Sequence, residues 1–219
     1  MKIIGIIPAR KNSKEIKNKN IKLLNGKPLI SYTIKNALKS NLDYLVVSSD
    51  SKKILKLCKQ NKIDFILRPS FLAQDSTKMH FVIKHVLNSI NEKFDAFMIL
   101  QPTSPLRNFI HINKAIDLFK KSKKTNSLVS VCEVPHNFTP IKICSMRDKH
   151  LIFNKNYQIR QKTHKFFARN GAIYLTKCNV FKKNILVFKT IPFFMNRNES
   201  IDIDDMDDWF IAESFLKKQ

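Results

Sequence analysis

The chain has 219 residues, of which 43% are hydrophobic and 26% are charged. A chain of this length and composition can form one soluble globular domain with a substantial core. Its apolar runs fall well short of the roughly 20 residues of a membrane-spanning helix, and the apolar stretch at residues 3–7 is too short for a signal peptide. We therefore expect a single cytoplasmic domain over residues 1–219, without a membrane segment.

The formal net charge of +23 raises nucleic acid as an alternative partner. However, only seven of the 40 basic residues are arginines, and the lysines are spread along the whole chain instead of forming a stripe with aromatic residues. A nucleic-acid-binding protein is therefore a second hypothesis, ranked below an enzyme. The four cysteines are widely spaced, so neither a disulfide framework nor a zinc site is expected.

The first 135 residues alternate between apolar runs of strand length and segments of helical periodicity. Strands are predicted at residues 2–7, 44–49, 63–67, 95–100 and 127–134. Helices are predicted at residues 28–39, about 51–60, 75–90 and 108–121. Asp50 or Ser51 is expected to cap the second helix, and Asp75 or Ser76 the third. This alternation, with strands that are apolar on both faces, is typical of a doubly wound, mostly parallel α/β sheet.

Residues 135–165 differ in composition and hydrophobic pattern from the segment before them. They contain two prolines and short alternating stretches, which predict an inserted hairpin. Beyond this insertion, strands are predicted at residues 171–175 and 185–191, and a helix at about 205–217. The insertion could cover a binding site or contact a second copy of the chain.

Polar side chains directly follow three of the predicted strands. Arg10 lies in a basic segment after the first strand, Arg68 follows the third, and Gln101 follows the fourth. Because ligands of open α/β sheets bind beyond the carboxyl ends of the strands, these side chains are expected to share a site. Arginine can bind phosphate oxygens with two parallel hydrogen bonds, and a glutamine amide can read a base edge. The plainer alternative is that all three segments are ordinary connections.

The acidic residues are concentrated near the end of the chain. Seven of the 17 lie between residues 199 and 213. Asp202 and Asp204 would share one face of an extended backbone, and two carboxylates suit a divalent cation such as Mg²⁺. Three further aspartates fall in the first turn of the last predicted helix, where negative charge interacts favourably with the helix dipole.

Several segments, taken in order, resemble the acylneuraminate cytidylyltransferases. The matching segments are IPARKNSKEIKNKNI (7–21), NGKPLISYTI (25–34), SSDS (48–51), RPSFLAQDST (68–77), LQPTSPLR (100–107), RQ (160–161), NGAIY (170–174) and DIDDMDDW (202–209). The resemblance implies a Rossmann-like nucleotidyltransferase fold in which residues 135–165 form a dimerisation lobe. It also implies an enzyme that joins CMP from CTP to the anomeric hydroxyl of a nine-carbon 2-keto sugar acid and releases pyrophosphate.

The resemblance further implies roles for individual residues. The triphosphate would be bound by Arg10 and Lys19, in a loop shaped by Ser13 and Lys14. The cytidine would be held by Asn20, Arg68 and Gln101, with Thr77 as a weaker candidate. The sugar acid would be contacted by Arg160, Gln161 and Asn170. Mg²⁺ would be bound by Asp202 and Asp204.

The chain departs from the family pattern at two places. The phosphate loop has Lys11-Asn12 where the family commonly has glycine or serine, a change that the loop tolerates if Asn12 can adopt a left-handed conformation. In the sugar-acid segment, His164 and Phe167 replace a proline and a tyrosine that are common in sialic acid enzymes. The sugar acid is therefore left open among N-acetylneuraminate, legionaminate, pseudaminate and related nonulosonic acids.

Two further points stay open from the sequence. A homodimer is expected from the resemblance, and no residue is assigned as a general base. A related nucleotidyltransferase that uses another sugar or another nucleoside triphosphate is a third hypothesis.

Overall fold

The computed structural model describes residues 1–140, 142–153 and 165–218. The strands in these ranges are β1 (Ile3–Pro8), β2 (Leu23–Leu24), β3 (Lys27–Pro28), β4 (Tyr44–Ser49), β5 (Asp64–Leu67), β6 (Ala96–Ile99), β7 (Ser127–Glu133), β8 (Cys144–Arg147), β9 (His150–Phe153), β10 (Phe167–Lys177) and β11 (Thr190–Phe194). The helices are α1 (Leu29–Leu38), α2 (Lys52–Gln60), α3 (Met79–Asn88), α4 (Phe109–Lys121) and α5 (Met206–Leu216). The single-domain organisation of residues 1–219 stays a prediction.

Seven of the strands form one sheet in the order β11-β7-β10-β6-β1-β4-β5. The four strands β6, β1, β4 and β5 run parallel, and β11 runs parallel to β7. Strand β10 is antiparallel to both of its neighbours, β6 and β7. The predicted mostly parallel α/β sheet is therefore confirmed, with β10 as the antiparallel exception.

The strand order reverses next to the central strand β1. The chain builds outward from β1 through β4 to the edge strand β5, and then returns to the other side of β1 as β6. In open α/β sheets such a reversal leaves a crevice beyond the carboxyl ends of the two strands that flank it, and ligands bind in that crevice. Here the crevice is bounded by the residues after Pro8 and after Ile99.

Alternating residues of the strands supply hydrophobic cores on both faces of the sheet. Ile3 and Ile7 of β1 belong to the core that is packed by α1, α2 and α4. Ile4 and Ile6 belong to a second core that is packed by α3. This alternation follows from the pleat of a strand, in which successive side chains point to opposite faces. Helices therefore cover both faces, as a doubly wound sheet requires.

The last helix packs apart from these two cores and beside the site. Trp209 and Ala212 of α5 form a third cluster with Ile16, Leu24 and Ile203. This cluster brings the basic segment after β1 into contact with the acidic segment before α5. Two regions that are almost 190 residues apart in the chain thereby become neighbours.

Ser51 occupies the predicted N-cap position of α2, whereas the N-cap residue of α3 is Lys78 and not Asp75 or Ser76. The two acids predicted as possible caps, Asp50 and Asp75, bind the basic loop after β1 instead. Neither α2 nor α3 has a capping hydrogen bond from a side chain. The Asp50 carboxylate accepts a hydrogen bond from the Lys11 backbone amide at 2.7 Å, and the Asp75 carboxylate pairs with the Arg10 guanidinium. For Asp75 the partner is a guanidinium, and a charge-assisted hydrogen bond of this kind is stronger than a bond to a helix amide.

The strand predicted at residues 185–191 is wrong in position, because the observed strand β11 is Thr190–Phe194. The Val187 amide donates to the Ser127 hydroxyl at 3.2 Å, and the Thr190 hydroxyl donates to the Val187 carbonyl at 2.6 Å. These bonds replace a strand ladder. Lys189, at φ 68°, then turns the chain into β11.

The insertion forms a hairpin, as predicted. Strands β8 and β9 pair with each other and not with the main sheet. Their large apolar side chains are exposed, with 76% of Met146 and 68% of Phe153 accessible to solvent. In the part of the chain that the structure describes, no helix has both the length and the apolar character needed to span a membrane.

Candidate active site

A cavity of about 380 Å³ opens at the crevice between β1 and β6. Eight of the residues assigned from the sequence line it: Arg10, Ser13, Lys14, Lys19, Asn20, Arg68, Gln101 and Asp204. The parallel strands bring the segments after β1, β5 and β6 together because their carboxyl ends meet at one edge of the sheet. The packing of α5 against the basic segment adds Asp204. The cavity therefore combines cations, amide groups and a carboxylate from four separate segments.

The basic loop after β1 is held in place by its own side chains and by acids from elsewhere. The Asn20 amide donates to the Arg10 carbonyl at 2.9 Å, so Asn20, only 7% exposed, fixes the two ends of the loop against each other. Asp75 pairs with Arg10 and lies 3.7 Å from Lys14 Nζ. The Asp75 carboxylate thus offsets part of the positive charge of two loop cations, Arg10 and Lys14.

Asn18, and not Asn12, adopts the left-handed conformation in this loop. Asn18 adopts φ 56° at the start of the short turn Lys19–Ile21. Asparagine tolerates this conformation better than most residues because its short side chain can bond locally. The loop therefore turns just before Lys19, which it directs towards the acidic segment.

Arg68 lies almost fully buried at the end of β5. Its guanidinium donates to the Ser48 carbonyl at 2.8 Å and to the Ser48 hydroxyl at 3.2 Å. Burial lowers the pKa of Arg68 to about 10, while Asp50 raises it and Arg10 lowers it. Arg68 therefore remains charged at neutral pH, at a fixed position in the cavity wall.

Lys19 joins the basic loop to the acidic segment. Its ammonium donates to the Ile203 carbonyl at 2.6 Å and lies 3.8 Å from Asp204 Oδ1. Its side chain is only 12% exposed, whereas that of Asp204 is 82% exposed. Lys19 thus places a positive charge beside the Asp204 carboxylate in the lining of the cavity.

Asp202 is largely enclosed, and its environment is unfavourable for a charge. Burial raises the pKa of this carboxyl, and a hydrogen bond from Thr103 lowers it; Asp204 raises the pKa and Lys19 lowers it by charge. Its Oδ1 atom is buried without a hydrogen-bond partner among the described residues. Gly171, at φ 73°, makes room for the carboxylate, since a Cβ atom there would lie 2.8 Å from Asp202 Cγ.

The donor set fits a divalent cation that takes its other ligands from a nucleotide. Magnesium is commonly held by one or two carboxylates together with substrate phosphates and water. Within the described ranges no group of three or more His, Cys, Asp and Glu forms a protein-only metal site. Asp202 and Asp204 supply two carboxylates, and the unpartnered Oδ1 of Asp202 is an oxygen for which a cation would be a suitable partner.

Asn170 and Thr77 do not line this cavity. The Asn170 amide is buried and bonds to Ser130 and Ser200, and the Thr77 hydroxyl donates to the Phe71 carbonyl at 3.1 Å. Their roles in ligand binding stay predictions. Arg160 and Gln161 fall outside the described residues.

A second cavity of about 430 Å³ adjoins the first. The two cavities share Met79 and Gln101 in their linings. The second is also lined by Lys78, His80, Tyr174, Arg169 and Lys183, and none of its described lining residues is acidic. It is therefore suited to binding an anionic molecule next to a ligand in the first cavity.

A family model described as "Cytidylyltransferase" matches residues 4–216. The chain belongs to the cytidylyltransferase family. An N-acylneuraminate cytidylyltransferase of Escherichia coli O18:K1:H7 is 33% identical over 225 residues, which cover 100% of this chain and 53% of that protein. The chain thus spans about half the length of that relative. A CMP-N,N'-diacetyllegionaminic acid synthase of Legionella pneumophila is 32% identical, with coverage of 99% and 97%.

A solved cytidylyltransferase structure supports the fold alone. CMP:2-keto-3-deoxy-manno-octonic acid synthetase, complexed with CTP, superposes with a TM-score of 0.75 at 12% identity and covers 100% of this chain and 99% of that one. The predicted nucleotidyltransferase fold is therefore confirmed. The family model and the two relatives confirm the resemblance to acylneuraminate cytidylyltransferases.

Sequence reasoning missed several residues around the site. Asp75 was read as a helix cap, and no role was given to Thr103, Arg107, Arg169 or Gly171. The sequence carries a signal for Arg107 and Gly171, because both lie in matching segments and the chain has only seven arginines and three glycines.

Replacing Asp75 with asparagine is expected to lower the KM for CTP about two- to fivefold at low salt. The substitution frees Arg10 and Lys14 from a carboxylate that a triphosphate has to displace, and exposed ion pairs have strengths in this range. Steady-state kinetics at low and high salt measure the effect, which should shrink as salt screens the charges. Asp117→Asn, on the exposed face of α4, makes the same charge change away from the cavity. An increased KM in the Asp75 variant would contradict the interpretation.

Proposed function

We propose that this protein is a CTP-dependent cytidylyltransferase that transfers CMP to a nonulosonic acid and releases pyrophosphate. The observation that carries the proposal is the pair of adjoining cavities at the reversal of strand order, which meet at Gln101. The first has cations and an acidic edge suited to a nucleoside triphosphate with its metal. The second is cationic and suited to the carboxylate of an acceptor. The names of the relatives support the same reaction.

The proposed reaction is an in-line displacement. The anomeric hydroxyl oxygen of the sugar acid forms a bond to the α-phosphorus of CTP, and the bond from that phosphorus to the bridging oxygen breaks as pyrophosphate leaves. The hydroxyl proton is released, with no protein residue assigned to accept it. Such a reaction needs positioning and charge neutralisation more than covalent help from the protein.

Each segment of the first cavity has a part in this scheme. Arg10 and Lys14 would exchange Asp75 for phosphate oxygens, and Lys19 would hold the acidic segment beside the nucleotide. Asp202 and Asp204 would hold Mg²⁺, which when bound neutralises charge on phosphate oxygens. Arg68 and Gln101 would fix the cytidine.

The decisive experiment is pyrophosphate release by the purified protein with CTP, Mg²⁺ and a panel of 2-keto sugar acids. We expect turnover with CTP and at least one nonulosonic acid, and much less with other nucleoside triphosphates. Folded protein that is silent with every sugar acid would overturn the proposal. Tight, salt-sensitive binding to random duplex DNA without CMP transfer would instead favour the nucleic-acid hypothesis.

Replacing Arg169 with methionine is expected to raise the KM for the sugar acid about tenfold and leave the KM for CTP unchanged. Arg169 lines the second cavity but not the first, and a charge-assisted hydrogen bond to a carboxylate has about this effect. Steady-state kinetics with each substrate varied in turn separate the two constants. Lys53→Met, on the surface of α2, is the matched loss of one positive charge. An increase confined to the KM for CTP would assign Arg169 to the nucleotide instead.

The proposed active form is a homodimer in the cytoplasm. The exposed apolar side chains of the β8–β9 hairpin support the dimer, since such side chains are commonly covered at protein interfaces. Light scattering of the purified protein gives the mass, and a monomer at micromolar concentration would contradict this part of the proposal.

A further inference from the structure

Arg107 is a buried charged residue that has no assigned role in the proposed reaction. It lies in the turn between Gln101 and α4, and its side chain is completely inaccessible to solvent. Burial lowers the pKa of Arg107 and the charge of Asp202 raises it, and an arginine stays protonated in proteins. The interior therefore holds a permanent positive charge close to a predicted metal ligand.

The guanidinium of Arg107 joins three segments of the fold. One terminal nitrogen, Nη1, donates to the Ala172 carbonyl at 2.7 Å and to the Gln101 carbonyl at 3.1 Å. The other, Nη2, donates to the Thr33 hydroxyl at 2.6 Å. The Thr33 hydroxyl also donates to the Gln101 carbonyl, at 3.3 Å. The planar fork of an arginine can hold several acceptors in fixed relative positions, which a lysine cannot do.

Two of these segments border the proposed site, one at the substrate cavities and the other at the Asp202 carboxylate. Gln101 stands where the nucleotide and acceptor cavities meet. Ala172 directly follows Gly171, against which the Asp202 carboxylate packs. A change in the Arg107 fork would shift Gln101 relative to Asp202 without altering either side chain.

Stability alone is a weak explanation for this arginine. The Nε atom of Arg107 is buried without a hydrogen-bond partner among the described residues. A buried charge with incomplete pairing contributes little to stability, and an apolar residue of similar volume often replaces it without loss. The geometry of the fork is the property that an apolar residue could not supply.

We propose that Arg107 is a positioning residue. It sets the distance between the nucleotide held at Gln101 and the carboxylates of Asp202 and Asp204. This inference rests on the proposed cytidylyltransferase function. Arg107 touches neither cavity through which the substrates would enter, so it acts through Gln101 and Gly171–Ala172. Its loss should therefore affect turnover more than the binding of either substrate.

The test compares Arg107→Lys with the wild type. The lysine keeps the charge but loses the fork, so we expect kcat to fall at least tenfold. The affinity for CTP without metal, measured by calorimetry in EDTA, should stay within threefold of the wild type. The Mg²⁺ concentration at half-maximal rate should rise at least threefold. Thr33→Val, which removes one acceptor and leaves Arg107 in place, should show the same pattern with a smaller fall in kcat and keeps the test usable if the lysine variant does not fold.

A control separates positioning from plain destabilisation. Phe119→Leu in the core face of α4 should lower the melting temperature yet leave kcat and the Mg²⁺ dependence unchanged. The inference is overturned if both Arg107→Lys and Thr33→Val keep the wild-type kcat, if the loss in either is confined to CTP affinity, or if Phe119→Leu loses turnover to the same extent. Wild-type protein without turnover would overturn the proposed function, and this inference with it.

Discussion

Replacing Asp202 with asparagine is expected to lower kcat for CMP transfer about 10³-fold, the scale of loss when one group that stabilises transition-state charge is removed. Asparagine keeps the shape of the side chain and can still accept the hydrogen bond from Thr103. It cannot supply the negative oxygen that a divalent cation requires. The measurement is pyrophosphate release at saturating CTP and sugar acid, over a range of Mg²⁺ concentrations.

The same substitution should leave the melting temperature unchanged or higher. Burial raises the pKa of the Asp202 carboxyl above its ordinary value. A carboxyl whose pKa is higher in the folded protein than in the unfolded chain destabilises the folded state once the pH exceeds the unfolded pKa, because the unfolded chain ionises more readily. At neutral pH asparagine removes this penalty. Loss of activity together with retained or increased stability would be typical of a functional and not a structural residue.

Asp207→Asn is the matched control for this prediction. Asp207 lies five residues further on, in the exposed first turn of α5, and removing its charge makes the same change in net charge. We expect its kcat to stay within about twofold of the wild type. Full activity in Asp202→Asn, or a clear drop in its melting temperature, would refute the assignment of Asp202 as a metal ligand whose burial destabilises the fold.

The arrangement of the sheet could be predicted because it depends on patterns that are local in sequence. Fully apolar runs such as residues 44–49 mark strands that are buried on both faces, and parallel strands place their carboxyl ends at one edge. From this it followed that Arg10, Arg68 and Gln101 would meet, and all three line one cavity. The segment at 185–191 shows the limit, since a short apolar run does not reveal that the Ser127 hydroxyl takes the place of a ladder partner.

The long-range contacts around the site could not be predicted in the same way. Arg107 bonds to a carbonyl 65 residues away, and Lys19 to one 184 residues away. The sequence near either residue does not indicate its hydrogen-bond partner, because the pairing results from packing between distant segments. Asp75 was misread for the same reason, since a helix cap is a local pattern and its ion pair with Arg10 is not.

Replacing Gly171 with alanine is expected to lower kcat at least about 100-fold and also to lower the melting temperature. Gly171 has φ 73°, a conformation that costs other residues about 1–2 kcal/mol. In addition, the new methyl group would lie 2.8 Å from Asp202 Cγ, closer than carbon atoms pack. Asp202 would have to leave its position, so the metal site would be lost without any change in the carboxylate itself. Kinetics over a range of Mg²⁺ concentrations and thermal unfolding measure the two effects.

Gly26→Ala separates the steric effect from the backbone effect. Gly26 has nearly the same conformation, at φ 74°, but no atom lies within 4 Å of a Cβ built there. Alanine at position 26 meets only the cost of its backbone conformation. The melting temperature of Gly26→Ala should therefore fall by a few degrees, with kcat unchanged. The difference in kcat between the two variants then reports the displacement of Asp202 alone. Equal kcat values would mean that the close approach of Gly171 to Asp202 has no part in the reaction.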